Sequence, residues 1–335
     1  MNLKKIGLTA LAGSLVATSV FAGEMTVTGS ASMKVEHVNG GGANGGKSFS
    51  MGNQLEFAGS GELDNGLTVS LNMVLDQNDD KTSTAPTAAT GWNTGTPFDS
   101  HSVSVSSDAL GTLVFHGEGG SSAQGAIDTT AAGDIWDSSF GITAAQDPKA
   151  SAMSDNSIFY TLPSMVDGVA ITTSYSPKGS GRDSSMAFGF GYTGVEGLTV
   201  NYAKGEDNSG GTVDVPADVD VTTMKVSYAY GPITVGYSDT DYDSEATTTT
   251  LDQEVTSYNI SYTVSDSISV SYGSEEISQP NVTTDSDIKV DGIKASYTAG
   301  GMTISGAMLT ADNTAHSTAV TEDKEHWSLV ASFAF

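Results

Sequence analysis

The chain ends in Trp327-Ser328-Leu329-Val330-Ala331-Ser332-Phe333-Ala334-Phe335. Successive side chains of a β-strand point to opposite faces, so the large apolar side chains at the odd positions share one face, and Ser328 and Ser332 share the other. In water, an apolar aromatic strand at the end of a chain has no apolar surface against which its side chains can pack. A strand that closes a lipid-embedded barrel can use every apolar side chain on its outer face. The segment therefore predicts a transmembrane β-strand.

The amino terminus has the features of a secretory signal. Lys4 and Lys5 precede a short apolar run, which ends in a small-residue cleavage site at Ala22. We therefore predict a signal peptide over residues 1–22 and a mature barrel over residues 23–335. A transmembrane helix is the weaker alternative, because the run is short and no second hydrophobic segment follows it.

The composition excludes several classes of function. The chain contains no cysteine, so it has neither a disulfide nor a thiol-based catalytic or metal site. Its 40 acidic and 13 basic residues give a formal net charge of −27. Nucleic acid is therefore not an expected partner, because phosphate would be repelled, and cations are favoured near the protein. The mean hydropathy of −0.13 is compatible with a membrane barrel, whose strands alternate apolar and polar residues.

Apolar and small polar residues alternate with a period of two along the mature chain. Met186, Phe188 and Phe190, for example, alternate with Ala187 and Gly189. A soluble barrel would fill its interior with larger aliphatic side chains, so we expect the apolar face to point outward into lipid. The pattern predicts an all-β, antiparallel transmembrane barrel of sixteen strands near residues 24–38, 49–63, 67–77, 101–107, 112–118, 156–162, 168–176, 184–194, 198–205, 221–230, 233–243, 254–265, 268–278, 287–299, 302–311 and 325–335.

The predicted connections alternate between tight turns and long polar stretches, the latter including residues 78–100, 119–155, 206–220 and 312–324. This alternation is typical of outer-membrane barrels with periplasmic turns and extracellular loops, and tyrosines near the strand ends are typical of interfacial girdles. About sixteen strands leave an aqueous lumen. The sequence thus predicts a channel for passive diffusion of small hydrophilic solutes and ions, with no enzymatic turnover and no cofactor.

Two segments resemble Gram-negative general porins, in particular those of alphaproteobacteria. Residues 59–71, Gly-Ser-Gly-Glu-Leu-Asp-Asn-Gly-Leu-Thr-Val-Ser-Leu, resemble the second and third strands of those porins with the turn between them. Residues 156–175, which begin Asn-Ser-Ile-Phe-Tyr-Thr-Leu-Pro, resemble the strand pair after the porin constriction loop. Together with the signal peptide and the terminal Phe335, the resemblance covers the whole mature chain.

The resemblance implies a homotrimer of sixteen-stranded barrels, with the third long loop folded into each lumen. By position this loop spans residues 119–155, and its charged residues are Asp128, Asp134, Asp137, Asp147 and Lys149. The terminal Phe335 resembles the signal that the barrel-assembly machinery reads during insertion into the outer membrane.

The lumen wall departs from the family pattern, in which arginines face the acidic loop. The only arginine, Arg182, falls in a predicted loop. Strand parity directs a different set of charged residues towards the lumen, namely Lys34, Glu56, His116, Lys225 and Lys294. Net acidity therefore predicts a preference for cations.

Several alternatives remain open. A loop is predicted to carry Asp239, Asp241 and Asp243. These acids are either solvated or form a loose divalent-ion site that bridges lipopolysaccharide phosphates. The pair Glu275-Glu276 is also interpreted as solvated. The five histidines lack metal-ligand spacing, and no nucleophile elbow indicates an enzyme. A channel selective for sugars or organic acids is the main alternative function, and a structural or adhesive barrel is the less favoured one.

Overall fold

Sixteen β-strands follow one another along the described part of the chain. The computed structural model describes residues 25–39, 46–76, 99–127, 130–142, 146–152, 155–177, 183–208, 219–244, 252–280, 282 and 286–335, so the predicted signal peptide lies outside the described residues. The strands are β1 (Met25–Asn39), β2 (Gly46–Glu62), β3 (Thr68–Asp76), β4 (Ser100–Ser107), β5 (Gly111–Glu118), β6 (Ser157–Thr161), β7 (Val169–Ser176), β8 (Ser185–Tyr192), β9 (Leu198–Glu206), β10 (Val219–Tyr230), β11 (Ile233–Ser244), β12 (Gln253–Ser265), β13 (Ile268–Ser278), β14 (Ile288–Ala299), β15 (Met302–Asp312) and β16 (Lys324–Ala334). The predicted strand number is confirmed.

The sheet closes on itself. Each strand pairs with its neighbours in the chain, and β16 pairs antiparallel with β1, so that Ala31 lies opposite Phe333 and Val35 lies opposite Leu329. This pairing closes the barrel that the sequence predicts. Closure leaves no sheet edge with unpaired N–H and C=O groups, which the hydrocarbon core of a bilayer does not tolerate.

The outer face of the barrel is apolar along the middle of the strands. Leu329 and Phe333 are exposed on this face, as are Phe188 and Met308, which are 58% and 73% exposed. The alternation places Ser328 of β16 on the inner face. The exposed apolar side chains become buried only when lipid or another protein surrounds the barrel, as predicted from the alternation.

The two rims of the barrel differ. Short turns such as 231–232 and 266–267 join strands at one rim, here called the short-turn rim. Long connections such as 207–218 and 313–323 join strands at the other, the long-loop rim. Outside the strands, short 3-10 turns occur at Ile135–Asp137 and Val320–Glu322. None of the helices in the described ranges is long and apolar enough to cross a membrane.

The interpretation of Asp239, Asp241 and Asp243 as loop residues is wrong, whereas the predicted strand near 233–243, which contains them, is confirmed. All three lie in β11, which extends to Ser244, and strand alternation places them on the outer face near the long-loop rim. Asp241 lies directly opposite Glu254 of β12. The strand continues because Thr240 and Tyr242, on its inner face, are buried. Over the part of the chain that the structure describes, no group of three or more His, Asp or Glu side chains is arranged to hold a metal ion.

We predict that deletion of Phe335 impairs barrel assembly more than conduction. The Phe335 N–H and C=O form hydrogen bonds of 2.9 and 2.7 Å with Gly29, and its ring covers this glycine. Loss of these contacts weakens the closing pair β1–β16. The folded fraction, measured as the heat-modifiable band on a gel, should fall severalfold, while channels that do insert keep the wild-type conductance. A normal folded yield would contradict the prediction.

Candidate functional site

The long connection between β5 and β6 turns into the barrel, and its residues 119–156 are here called the lumen loop. Main-chain N–H groups of this loop donate hydrogen bonds to inward side chains from successive strands of the wall. The donor and acceptor pairs are Ala123 with Ser174 Oγ (2.9 Å), Ala132 with Ser257 Oγ (2.9 Å), Trp136 with Glu275 Oε2 (2.8 Å) and Lys149 with Gln253 Oε1 (2.8 Å). The loop therefore follows the inside of the wall across β7 to β13.

Small inward residues make room for the loop. A Cβ atom at Gly273 of β13 would lie 2.7 Å from the Cβ of Ala132, and a Cβ at Gly205 of β9 would lie 2.5 Å from Ser151 Oγ. Both distances are shorter than side chains tolerate, so glycine at these wall positions allows the loop backbone to approach the sheet closely. The small inner face thus accommodates a loop as well as water.

An apolar cluster fixes the middle of the lumen loop. Ile135 and Phe140 are each 1% exposed. They pack against inward aliphatic side chains of β12 to β15, namely Val255, Ile277, Ile288, Val290, Leu309 and Ala311. The inner face, expected to consist mostly of small polar residues, is therefore aliphatic in this sector. Aliphatic residues occur here because the loop covers them and removes them from water.

Two of the predicted wall bases lie beneath the loop. Lys225 Nζ donates to the carbonyl oxygen of Thr130 at 2.8 Å, and Lys294 Nζ donates to that of Gly133 at 3.3 Å. Both lysines are on the inner face, where parity predicted them. They contact the loop from the side of the wall, so they do not oppose its charged residues across the lumen.

The remaining predicted wall residues lie on the inner face of the first five strands. Lys34 forms an ion pair of 2.6 Å with Glu36, and Glu56 accepts a hydrogen bond from Asn72. His116 is inward on β5, next to the start of the lumen loop. Hydroxyl groups dominate this part of the wall, including those of Thr28, Ser30, Ser32, Ser50, Ser70, Ser102 and Ser104.

The predicted loop acids take different positions. Asp134 and Asp137 are exposed within the barrel, at the 3-10 turn. Asp134 accepts hydrogen bonds from Thr130 Oγ1 at 2.9 Å and from the Trp136 indole at 3.3 Å. Asp147 forms an ion pair of 2.6 Å with Lys149 on the returning part of the loop. Asp128 lies outside the described residues.

Sequence reasoning missed four ionisable residues that contact the loop or its neighbours: Glu36, Glu275, Lys324 and His326. Glu275 was interpreted as solvated, but it is 1% exposed, and only its neighbour Glu276 faces outward, towards Lys289. Lys324 was assigned to the end of a loop, whereas it begins β16 and donates to the carbonyl oxygen of Phe140. Strand parity was the available signal for Glu275, because Tyr272 and Val270 on the same strand point outward.

Comparisons with known proteins agree with this architecture. A family model of Gram-negative porins matches residues 7–317. No curated protein sequence matches the chain significantly. Among solved structures, three mutants of the Rhodopseudomonas blastica porin superpose with TM-scores of 0.65, 0.63 and 0.61 at 16%, 18% and 16% sequence identity. Each alignment covers 93% of this chain and 100% of that porin.

The family match extends over most of the chain, and the fold is that of a channel rather than of an enzyme. With its closed sixteen-stranded barrel, the chain belongs to the family of Gram-negative porins, which form channels across the bacterial outer membrane.

Proposed function

We propose that the lumen loop is the constriction of this channel and that small hydrophilic solutes and ions diffuse past it, with cations preferred. The observation that supports this most directly is the exposure of Asp134 and Asp137 on a loop that lies inside the barrel. Fixed negative charges in a narrow aqueous passage raise the local concentration of cations. The passage lies between these acids and the hydroxyl-lined wall of β1 to β5.

The placement of the lysines supports the same preference. Lys225 and Lys294 bind loop carbonyl groups from beneath. Each ammonium group is therefore bonded to a carbonyl oxygen of the loop, while the side chains of Asp134 and Asp137 are exposed. No ladder of arginines opposes these acids within the described wall, since the single arginine, Arg182, lies outside the described residues.

The overall net charge is a weaker argument for cation preference than the loop acids. Many carboxylates face away from the lumen, on the outer side of the barrel near the long-loop rim; they include Glu206, Asp220, Asp241, Asp243, Glu254, Glu276 and Asp291. Charges on that side are separated from the passage by the barrel wall and are screened by salt. We propose that this rim contacts lipopolysaccharide.

We also propose that the barrel assembles as a homotrimer. All twelve tyrosines lie between Tyr160 and Tyr297, on β6 to β14, while β15, β16 and β1 to β5 contain none. Interfacial tyrosines mark surfaces that face lipid headgroups, so the tyrosine-free arc is suited to contact other subunits. The number of three subunits comes from the resemblance to general porins, as does the proposal that the assembly machinery reads Phe335.

Single-channel recording in a planar bilayer discriminates the candidate functions. A general diffusion channel should give large ohmic current steps that sugars and organic acids do not block. The second candidate is a sugar-selective channel, which the partly exposed indole of Trp136 beside Asp134 favours, and it should give steps that a sugar blocks. Absence of current from correctly folded barrels would indicate a structural role and contradict both channel proposals.

We predict that Asp134→Asn and Asp137→Asn lower the ratio of cation to anion permeability. A unit charge about 4 Å away in a water-like medium contributes about 1 kcal/mol, with opposite signs for a cation and an anion, so each substitution should lower the ratio at most about thirtyfold at low salt and less at high salt. Reversal potentials in a KCl gradient measure this ratio. Asp243→Asn on the outer face is the control and should leave it unchanged. An anion-selective wild type, or unaltered ratios in both loop variants, would refute the proposal.

Lipid accessibility tests the assembly. The chain lacks cysteine, so Leu71→Cys on the tyrosine-free β3 and Ile260→Cys on β12 each provide one site for a fluorophore. Both wild-type side chains are exposed on the isolated barrel, by 43% and 48%. Brominated lipids should quench the probe at position 260 strongly and the probe at position 71 weakly. Equal quenching at both positions would contradict a subunit contact at β3. A separate measurement, the mass of the native assembly, should correspond to three copies of the chain.

A further inference from the structure

The middle of the lumen loop reaches the seam at which the first and last strands pair. Ser139 Oγ donates a hydrogen bond to Glu36 Oε2 of β1 at 3.1 Å. The next residue, Phe140, accepts a hydrogen bond through its carbonyl oxygen from Lys324 Nζ of β16. These two residues, Ser139 and Phe140, are here called the loop tip. The loop tip is thus attached to both strands that close the barrel.

Glu36 is the centre of this attachment. Besides Ser139, its Oε2 contacts Lys34 Nζ at 2.6 Å and His326 Nε2 at 3.0 Å, while its Oε1 accepts a hydrogen bond from Ser48 Oγ at 3.1 Å. One carboxylate therefore joins side chains from β1, β2, β16 and the loop. Hydrogen bonds to an ionised group are stronger than those between neutral groups.

The groups around Glu36 are withdrawn from water. The side chains of Glu36, His326 and Lys324 are only 12%, 2% and 8% exposed. The Phe140 ring lies edge-on to the His326 ring, with centroids 5.9 Å apart, and belongs to the apolar cluster under the loop. Buried charged groups lose much free energy when a partner is removed, so this arrangement strongly favours one position of the loop tip.

We propose that Glu36 is the positioning residue of the constriction: through Ser139, and together with Lys324, it holds the loop tip against the seam and so maintains the open passage. Lys225 and Lys294 hold the earlier residues Thr130 and Gly133, and the Phe140 ring packs in the apolar cluster, so the polar contacts that hold the loop tip are those to β1 and β16. The contacts of Glu36 with Ser139 and of Lys324 with Phe140 are here called the clamp. Without the clamp the loop tip moves into the lumen and interrupts the current. The inference rests on the proposed role of the lumen loop as the constriction.

Single-channel recording of Ser139→Ala, Glu36→Gln and the double variant tests the clamp. Ser139→Ala removes one donor in the loop and leaves every strand pair intact, so it is expected to fold even if Glu36→Gln does not. Loss of one hydrogen bond to a charged group should make brief closures about tenfold more frequent at a given voltage. Ser139→Ala removes the donor of this hydrogen bond and Glu36→Gln removes the charge of its acceptor. Because both substitutions act on the same contact, the effect of the double variant should be smaller than the sum of the two single effects.

Lys324→Met provides an independent variant on the other side of the seam. It preserves the size and apolar stem of the side chain but removes the donor to the Phe140 carbonyl group, and it should also raise the closure frequency. Glu325→Gln, on the adjacent outward position of β16, is the matched control and should behave as the wild type. The folded fraction of each variant is measured on the same samples by heat modifiability.

Unchanged closure frequency in correctly folded Ser139→Ala and Lys324→Met channels would overturn the proposal. A lower unfolding temperature with wild-type closures would also overturn it, because it would mean that the network only stabilises the seam. If Asp134→Asn and Asp137→Asn alter ion selectivity while the clamp variants show the wild-type closure frequency, only the clamp proposal is refuted. If the loop acid variants leave ion selectivity unchanged and the clamp variants leave closure frequency unchanged, the proposed role of the loop as the constriction is refuted as well.

Discussion

The need to pair every main-chain N–H and C=O group within the membrane governs this structure. Lipid offers no hydrogen-bonding partner, so an open sheet edge would be costly, and the pairing of β1 with β16 removes that edge. The other features follow from closure. The apolar side chains of the strands face outward, the smaller polar ones face the lumen, and the connections leave the strands at the two rims.

The same hydrogen-bonding requirement operates inside the barrel on the lumen loop. Where the loop covers the wall, its main-chain groups are withdrawn from water and find partners in the inward side chains of Ser174, Ser257, Glu275 and the wall lysines. Apolar packing around Phe140 adds to these bonds. Among the charged residues at the loop, Glu275, Lys225 and Lys294 hold it from the side of the wall, whereas Asp134 and Asp137 are exposed.

The strands were predictable because their signal is local. Alternation and turn residues repeat along the chain, and each strand pairs with its sequence neighbours, so strand number and bounds follow within a few residues. The same parity placed Lys225 and Lys294 on the inner face but could not show what they bind. Glu275 was misinterpreted because adjacent acids resemble a solvated pair, although one of the two faces a loop more than a hundred residues away in sequence.

The sequence by itself determined a lipid-facing barrel of sixteen strands with alternating short and long connections, because side-chain alternation and connection length are properties of neighbouring residues. Which long connection enters the barrel was indicated only by the resemblance to general porins. Only the tertiary structure decided how that loop is held. Its partners come from strands distributed around the wall, and the last of them, Glu36 and Lys324, lie at opposite ends of the chain. They become neighbours only when the barrel closes, and no local pattern in the sequence records that contact.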